Sequence, residues 1–407
     1  MSAKLGYGFM RLPLTDENDR SSIDYSALYS LVDRFMESGF TYFDTAYNYH
    51  NGDSERALKK TLVDRYPRDA FILTDKMPLF MVNTKDDMET IFNEQMERCG
   101  VQKFDNYLLH AVSSMYYDLI SRVDAFGFLA RKKEEGKVGH IGISYHDSAE
   151  LLDRILTEHP EIELVQLQIN YLDWDDPVIE SRNCADTARK HGKKIIVMEP
   201  VKGGTLARVP EEVEKIMRKK SPDASPASWA LRFVASVDGV DTILSGMGAM
   251  DQLDDNIKTF KEQRPLDDED LKVISEARRI LKDAIAVPCT SCRYCTKNCP
   301  MHINIPGYFS IYNNMKMFGG SASFIGSMYF GNLMMEEGSA SSCVGCGRCD
   351  RICPQHIKVK DTLSKVNKEI LEQARLYNRA FRLMKAKKEY EEKMRCSGGE
   401  YVSDTKE

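Results

Sequence analysis

The sequence predicts an α/β protein, a (β/α)8 TIM barrel followed by a small, mainly helical unit. Three observations lead there. Short apolar runs alternate with charged, helically periodic segments over the first ~250 residues, the usual size of such a barrel. No G-x-G-x-x-G opens a helix after an early strand, which counts against an open dinucleotide-binding sheet. Beyond the alternation stand two runs of four cysteines, each closed by proline.

In chain order, strands are expected at Leu5–Gly8, Thr41–Thr45, Phe71–Lys76, Asn106–His110, His140–Ser144, Leu164–Asn170, Lys194–Glu199 and Thr242–Ser245. Helical segments between them include Tyr25–Glu37, Glu55–Val63, Met88–Arg98, Tyr116–Glu135 and Pro177–His191. The barrel is assigned residues 1–262. A charged amphipathic helix ending at Pro288 links it, over 263–288, to a cysteine-bearing domain at 289–360. The Met- and aromatic-rich stretch between the cysteine runs is expected to hold two short helices, around Gly307–Met317 and Phe324–Glu337, as packing material. A C-terminal helix follows over 361–395, with apolar positions that include Val366, Ile370 and Phe381. It would pack on the barrel or on a second copy, which leaves a homo-oligomer open. Residues 396–407 are expected to be a disordered tail.

Composition narrows the class. With 42% hydrophobic and 29% charged residues the chain reads as an ordinary globular protein. A net charge of −6 offers no basic field for nucleic acid or anionic lipid. The opening MSAKLGYGFMRLPL lacks a signal-peptide pattern, and no run approaches the ~20 apolar residues of a membrane span. A reducing cytoplasm is the expected location. Of the eleven cysteines, Cys99, Cys184 and Cys396 stand outside the motifs and read as simple thiols.

The motifs are C-x2-C-x2-C-x3-C-P twice over: Cys289, Cys292, Cys295, Cys299 and Pro300, then Cys343, Cys346, Cys349, Cys353 and Pro354. A structural zinc site usually uses two C-x2-C pairs, and a disulfide framework suits secreted chains. The spacing resembles that of two-cluster ferredoxins, where three thiolates of a run hold one [4Fe–4S] cube and the fourth ligates the other. On that pattern Cys289, Cys292, Cys295 and Cys353 hold one cluster, and Cys343, Cys346, Cys349 and Cys299 the second. The small unit is thus expected to be a two-cluster ferredoxin-like domain.

Four polar residues fall at or just beyond strand ends, where barrels keep their chemistry: Asp44 and Tyr49 in FDTAYNYH, Lys76 in ILTDKMP and His110 in NYLLHAV. A phenol is a poor acid at neutral pH, and a cation beside Tyr49, such as Lys76, lowers its pKa. Asp44 would hold Lys76, and His110 would orient a carbonyl that Tyr49 protonates. Each residue alone has a plainer reading: a cap, a surface charge, a packed histidine. Together, over about residues 4–260, they resemble the catalytic tetrad of the aldo/keto reductase family. The remaining third resembles the ferredoxin-type extension found in one branch of that family. Tyr47 and His50 are read as pocket wall or loop. Met77, Leu79, Phe80 and Trp174, with Tyr47, suggest a partly apolar entrance.

The resemblance also implies a cofactor site. Ser144 and Gln166 match positions that hold a nicotinamide carboxamide, with Asn170 nearby. Met198 stands where relatives stack an aromatic ring. Ser245 and Gly246 precede a helix starting near Met250, and with Gln252 and Asn256 on that helix they form a phosphate-binding end. Basic residues that would grip a 2′-phosphate are missing, while Asp251, Asp254 and Asp255 are close, so NADH is favoured over NADPH. FMN could use the same loop.

Two functions follow. The first is an iron–sulfur oxidoreductase, its barrel interconverting a small-molecule carbonyl and alcohol while the clusters exchange electrons with a redox partner protein. The second is an electron-transfer subunit whose barrel is a scaffold or binds flavin. Hydride transfer moves two electrons and each cube passes one, so a direct link requires a splitter.

Overall fold

The computed structural model describes residues 4–16, 19–262, 264–283, 286–289, 293–318, 338–353, 355–373 and Arg375. Eight parallel strands close a barrel in sequence order: β1 (Lys4–Gly8), β2 (Tyr42–Asp44), β3 (Ile72–Pro78), β4 (Phe104–Val112), β5 (Val138–Tyr145), β6 (Leu164–Gln168), β7 (Lys194–Met198) and β8 (Val240–Ser245), which pairs back onto β1. All eight lie on the runs read from sequence. β3 and β4 continue two residues past Lys76 and His110, whereas β6 and β7 stop before Asn170 and Glu199.

Period-two alternation sets what the barrel interior holds. Tyr42, Leu108, Leu164, Ile196 and Leu244 form one buried apolar layer inside the barrel. Two residues further along their strands, the same inward parity applies to Asp44, His110, Gln166 and Met198. Lys76 follows four residues after Ile72, and Ser144 two after Gly142.

Around the barrel run α1 (Tyr25–Glu37), α2 (Ser54–Leu58), α3 (Lys85–Cys99), α4 (Ser114–Val123), α5 (Ala125–Glu134), α6 (Ala149–Glu158), α7 (Ser181–Lys190), α8 (Glu211–Lys220), α9 (Pro226–Ala235) and α10 (Met250–Glu262). In α1, Asp24 caps the N-terminus and Leu28, Leu31, Val32 and Phe35 form the buried stripe. The segment Tyr116–Glu135 is two helices, because Asp124 adopts a left-handed φ of 56°. Helix α7 starts at Ser181 rather than Pro177. The intervening loop is stabilised by side chains: Asn170 Oδ1 accepts from Leu172 and Asp173 N–H, and Asp176 Oδ1 accepts from Val178 and Ile179 N–H. Helix α9 escapes a periodicity reading because Ser228–Val234 is buried on every side.

The linker helix, α11 (Asp268–Asp283), is not a spacer. Ile274, Ala277 and Leu281 join the barrel's hydrophobic core, and Asp270 forms a buried ion pair with Arg232. Beyond it lie α12 (Tyr294–Lys297), α13 (Ile305–Phe318), a short helix Arg348–Ile352, and a helix over 359–373. These carry a second core, in which Ile303, Ile305, Tyr308, Phe309 and Leu363 are buried. Ile179, from the loop between β6 and α7, is buried in that second core. Burying one such side chain is worth about 1.5–3 kcal/mol. Ser310 Oγ of α13 donates to Asp176 Oδ2 of the same loop at 2.8 Å. The helix expected around Phe324–Glu337, Cys292, Pro354, Cys396 and the end of the C-terminal helix lie outside the described residues. Among the described residues no helix is long and apolar enough to cross a membrane.

Candidate active site and cluster pocket

The strand-end residues converge inside the barrel mouth. Lys76 Nζ donates to Asp44 Oδ1 at 2.5 Å and to the Thr45 carbonyl at 2.7 Å. Gln166 Nε2 donates to Asp44 Oδ2 at 3.2 Å, so Asp44 is held from two strands. The Lys76 ammonium lies 5.2 Å from the centroid of the Tyr49 ring. The Tyr49 and His110 rings stand edge to face with centroids 6.0 Å apart, and Phe80 flanks His110 at 5.9 Å. Tyr49 and His110 are half-buried, and Asp44 and Lys76 are buried.

The backbone aims these groups. Directly after His110, Ala111 has φ 63°, and the β4–β5 register shifts between Leu109 and Val112. This bulge re-aims the strand end that carries His110. Behind β3, Asp75 Oδ1 accepts from Lys76 N–H at 2.8 Å and Gln95 Nε2 donates to the Lys76 carbonyl at 3.1 Å. Both backbone polar groups of Lys76 are therefore fastened by side chains outside the barrel.

Electrostatics assign the protonation states. Burial pulls the Lys76 ammonium down, but Asp44 and Tyr49 more than offset it, and its pKa lies above the ordinary lysine value. Burial pushes the Asp44 carboxyl up, partly opposed by Lys76 and Gln166. For Tyr49 the expected lowering does not prevail. Burial raises the phenol above its ordinary value, Lys76 pulls against it, and Asp44 and Glu199 raise it further. The phenol thus keeps its proton. His110 is held well below the ordinary histidine value by burial, then by Lys76 and His146, and is neutral. Its Nδ1 is buried with no hydrogen-bond partner among the described residues.

The residues expected around a dinucleotide occupy the neighbouring strand ends, several already bonded to the chain itself. Ser144 is buried, its hydroxyl 4.0 Å from Met198 Sδ. Asn170 donates to Asp173 Oδ2 at 2.7 Å and to the Glu199 carbonyl at 3.2 Å. Asn256 Nδ2 donates to Ser245 Oγ at 2.7 Å. Gln252 Oε1 accepts from Gly248 N–H at 3.0 Å, at the turn expected to receive a phosphate. Gly246 is exposed. Of the acidic residues expected there, Asp254 is paired with Arg34 at 2.7 Å, while Asp255 accepts from the neutral Ser225 hydroxyl at 2.6 Å.

Sequence reading passed over Arg11. Its stem lies where a Cβ on Gly246 would come within 3.1 Å of it, and its guanidinium reaches Glu199 Oε1 at 3.4 Å. The Arg11 stem therefore packs on the phosphate turn from the far end of the chain, with its charge directed to Glu199. Position one turn beyond β1 was its sole signal. Also unforeseen is the buried pair of Lys202 and Asp173 (2.5 Å), with Gln168 donating to the same carboxylate at 2.8 Å. Of the suggested entrance residues, Tyr47, Met77 and Leu79 are packed in the core. His50 is a loop anchor, accepting from Leu12 N–H at 3.0 Å.

In the second unit, Cys299, Cys343, Cys346 and Cys349 line one pocket, closed on its apolar side by Met301, Ile303, Ile305 and Leu363. These four are the set that the crossed ferredoxin pattern groups together. Four soft thiols in an apolar cradle have the chemistry an iron–sulfur cube requires. Cys289, Cys295 and Cys353 pack in the same core, and Cys292 lies outside the described residues. Cys99 and Cys184 are buried in the barrel, their thiols pushed up by burial.

Comparison with known proteins places both parts. Residues 4–279 match the model of the aldo/keto reductase family, and residues 288–366 match a 4Fe-4S dicluster domain. An uncharacterized oxidoreductase of Schizosaccharomyces pombe, C215.11c, is 23% identical over 276 residues, spanning 63% of this chain and 80% of that protein. The uncharacterized oxidoreductase YqkF of Bacillus subtilis is 23% identical over 274 residues, 60% of this chain and 85% of its own. Among solved structures, the holo form of aldo-keto reductase AKR11C1 from Bacillus halodurans superposes with a TM-score of 0.55 at 23% identity, covering 67% of this chain and 91% of that one. An aldo-keto reductase from Klebsiella pneumoniae in complex with NADPH gives 0.53 at 18% identity, over 67% and 89%. The chain belongs to the aldo/keto reductase family, and its barrel is followed by a 4Fe-4S dicluster domain.

Proposed function

We propose that the barrel is a carbonyl reductase site in which Tyr49 is the general acid, and that the dicluster domain exchanges electrons with a partner protein. The observation that carries the proposal is the Asp44–Lys76 pair beside a phenol that retains its proton. Tyr49 donates that proton to the carbonyl oxygen as negative charge builds there. Lys76 then stands next to the phenolate, and its charge is maintained by Asp44, itself steadied by Gln166. Neutral His110, confined between Tyr49 and Phe80, hydrogen-bonds the carbonyl and fixes its orientation. A reduced nicotinamide supplies the hydride when bound. Ser144, Gln166 and Asn170 would surround its carboxamide end, while Ser245, Gly246, Gln252 and Asn256 would face its phosphates. NADH is favoured over NADPH because residues 246–256 contain no cation for a 2′-phosphate. A partly apolar, small-molecule carbonyl compound is the substrate class, and a reducing cytoplasm the compartment.

In the dicluster domain we assign one cube to Cys289, Cys292, Cys295 and Cys353 and the other to Cys299, Cys343, Cys346 and Cys349. Because a hydride carries two electrons and each cube passes one, coupling the two sites calls for a flavin as splitter. Two measurements test the proposal. Tyr49→Phe is expected to lower carbonyl reduction about 10²–10⁴-fold with iron content unchanged. Unchanged turnover would mark the barrel as a scaffold. Anaerobic addition of NADH should bleach the cluster absorbance and coincide with extractable flavin. NADH consumption with carbonyl and no bleaching would separate the clusters from the chemistry.

A further inference from the structure

The chain carries a net charge of −6, yet the described residues around the cysteines carry an excess of exposed cations. Among the described residues of 293–304 and 338–361, Arg293, Lys297, Arg348, Arg351, Lys358 and Lys360 are all exposed, against two carboxylates, Asp350 and Asp361. Asp350 is half-buried and turned toward the chain, accepting from Lys360 N–H at 2.8 Å. Arg348 and Lys360 line the same pocket as the four cysteines. Helix α12 packs against the helix Arg348–Ile352, and the Arg351 guanidinium lies 3.5 Å from where a Cβ on the pocket residue Gly347 would stand.

Apolar exposure falls in the same place. Val344, between two pocket cysteines, is 63% exposed, Tyr294 52% and Ile352 38%, three of the five exposed large apolar side chains among the described residues. Cys343 and Cys346 are themselves exposed, so the pocket opens at the surface. An apolar centre within a charged rim is the anatomy of a docking face. Small faces of this kind suit transient electron-transfer encounters, and opposite charge accelerates them.

We propose that this basic face docks an acidic one-electron carrier protein, with Val344 at its centre and Arg348, Arg351, Lys358 and Lys360 on its rim. The proposal rests on the reading of Cys299, Cys343, Cys346 and Cys349 as cluster ligands and narrows the partner of the proposed function to one class. The step balances simply. The reduced cube gives up one electron, the oxidised centre of the carrier gains it, and no bond or proton moves.

The test uses the full-length, cluster-loaded protein. Binding is measured by biolayer interferometry against an acidic plant-type ferredoxin, a basic cytochrome c and a single-stranded oligonucleotide, at low and high salt. Expected is preferential binding of the acidic ferredoxin, weakened about tenfold or more at high salt. The double reversal Arg351→Glu with Lys358→Glu should weaken it about tenfold, and Val344→Ser should weaken it with little change in salt dependence. Both variants are checked for wild-type iron content and visible spectrum. Stopped-flow reoxidation of dithionite-reduced clusters by the same ferredoxin should slow in parallel. Equal binding of the acidic and basic proteins, preference for the oligonucleotide, or charge-reversed protein that binds like wild type would overturn the proposal. None of these readouts requires barrel turnover, so failure of the carbonyl reductase reading leaves a separate signature.

Discussion

Lys76 in the barrel and the cysteines around the cluster pocket are both reactive groups held in a folded interior, but their surroundings differ. The barrel completes its site from its own atoms: Asp44, Thr45 and Gln166 satisfy the buried charges, and Asp75 and Gln95 fasten the backbone behind them. The dicluster domain brings four thiols to an apolar cradle and has a small second core. A domain of this size has a small core of its own, and a metal centre bound by those thiols would add its binding free energy to folding. The difference teaches that one chain can contain a preorganised site and a ligand-dependent one.

Removing a cysteine proposed as a cluster ligand should separate them most strongly. Cys349→Ser is expected to cost about half the iron and to open residues beyond 288 to protease, while the barrel stays folded. Of the two tryptophans, Trp229 is buried in the barrel core while Trp174 lies in the loop that meets the second unit, so in a Trp174→Phe background the fluorescence reports the barrel. Parallel loss of tryptophan signal would break the contrast.

A second expectation concerns acid. His146, buried beside His110, is depressed by burial to about 4. Its unfolded value is near 6.5, so the folded state binds fewer protons between those values. Barrel stability from this group is therefore complete above pH ~6.5 and lost as pH falls toward 4, by about 3 kcal/mol. Urea midpoints followed by tryptophan fluorescence should show this decline, reduced in His146→Gln. His110 titrates in the same direction and adds to the slope.

The smallest effect tests the seam between the two regions. Ser310→Ala removes the hydrogen bond to Asp176 and should destabilise the protein by about 1 kcal/mol. Asp176 is half-buried, and desolvation together with Asp173 raises its pKa, so the bond matters for the carboxyl as well. A double-mutant cycle with Asp176→Asn should give a coupling of the same order.

Much of the barrel was readable because parallel strands announce themselves as buried runs and because inward parity repeats every second residue. That parity alone carries Asp44, Lys76, His110 and Gln166 to one end. Four of the motif cysteines, Cys299, Cys343, Cys346 and Cys349, line one pocket. What stayed hidden depends on contacts distant in sequence. Nothing local in FMRLP says that Arg11 lies over Gly246, and nothing in DDPVIE says that Ile179 is buried against α13. The net direction for Tyr49 is hidden for a related reason: Lys76, which does lower the phenol, is visible in sequence, whereas the burial that outweighs it is not. The bulge at Ala111 is also silent, since alanine carries no turn signal.

The hydrogen bond from Ser310 to Asp176 also has a consequence in time. The two residues are 134 positions apart, and the loop bearing Asp176 leaves the ribosome long before its partner exists. At 5–20 residues per second the wait is on the order of ten seconds, far longer than a barrel segment needs to collapse. During synthesis, Ile179 and its neighbours must remain exposed at the mouth of a nearly complete barrel until the C-terminal unit arrives. Nascent chains stalled shortly after residue 262 should therefore be the species most dependent on chaperones.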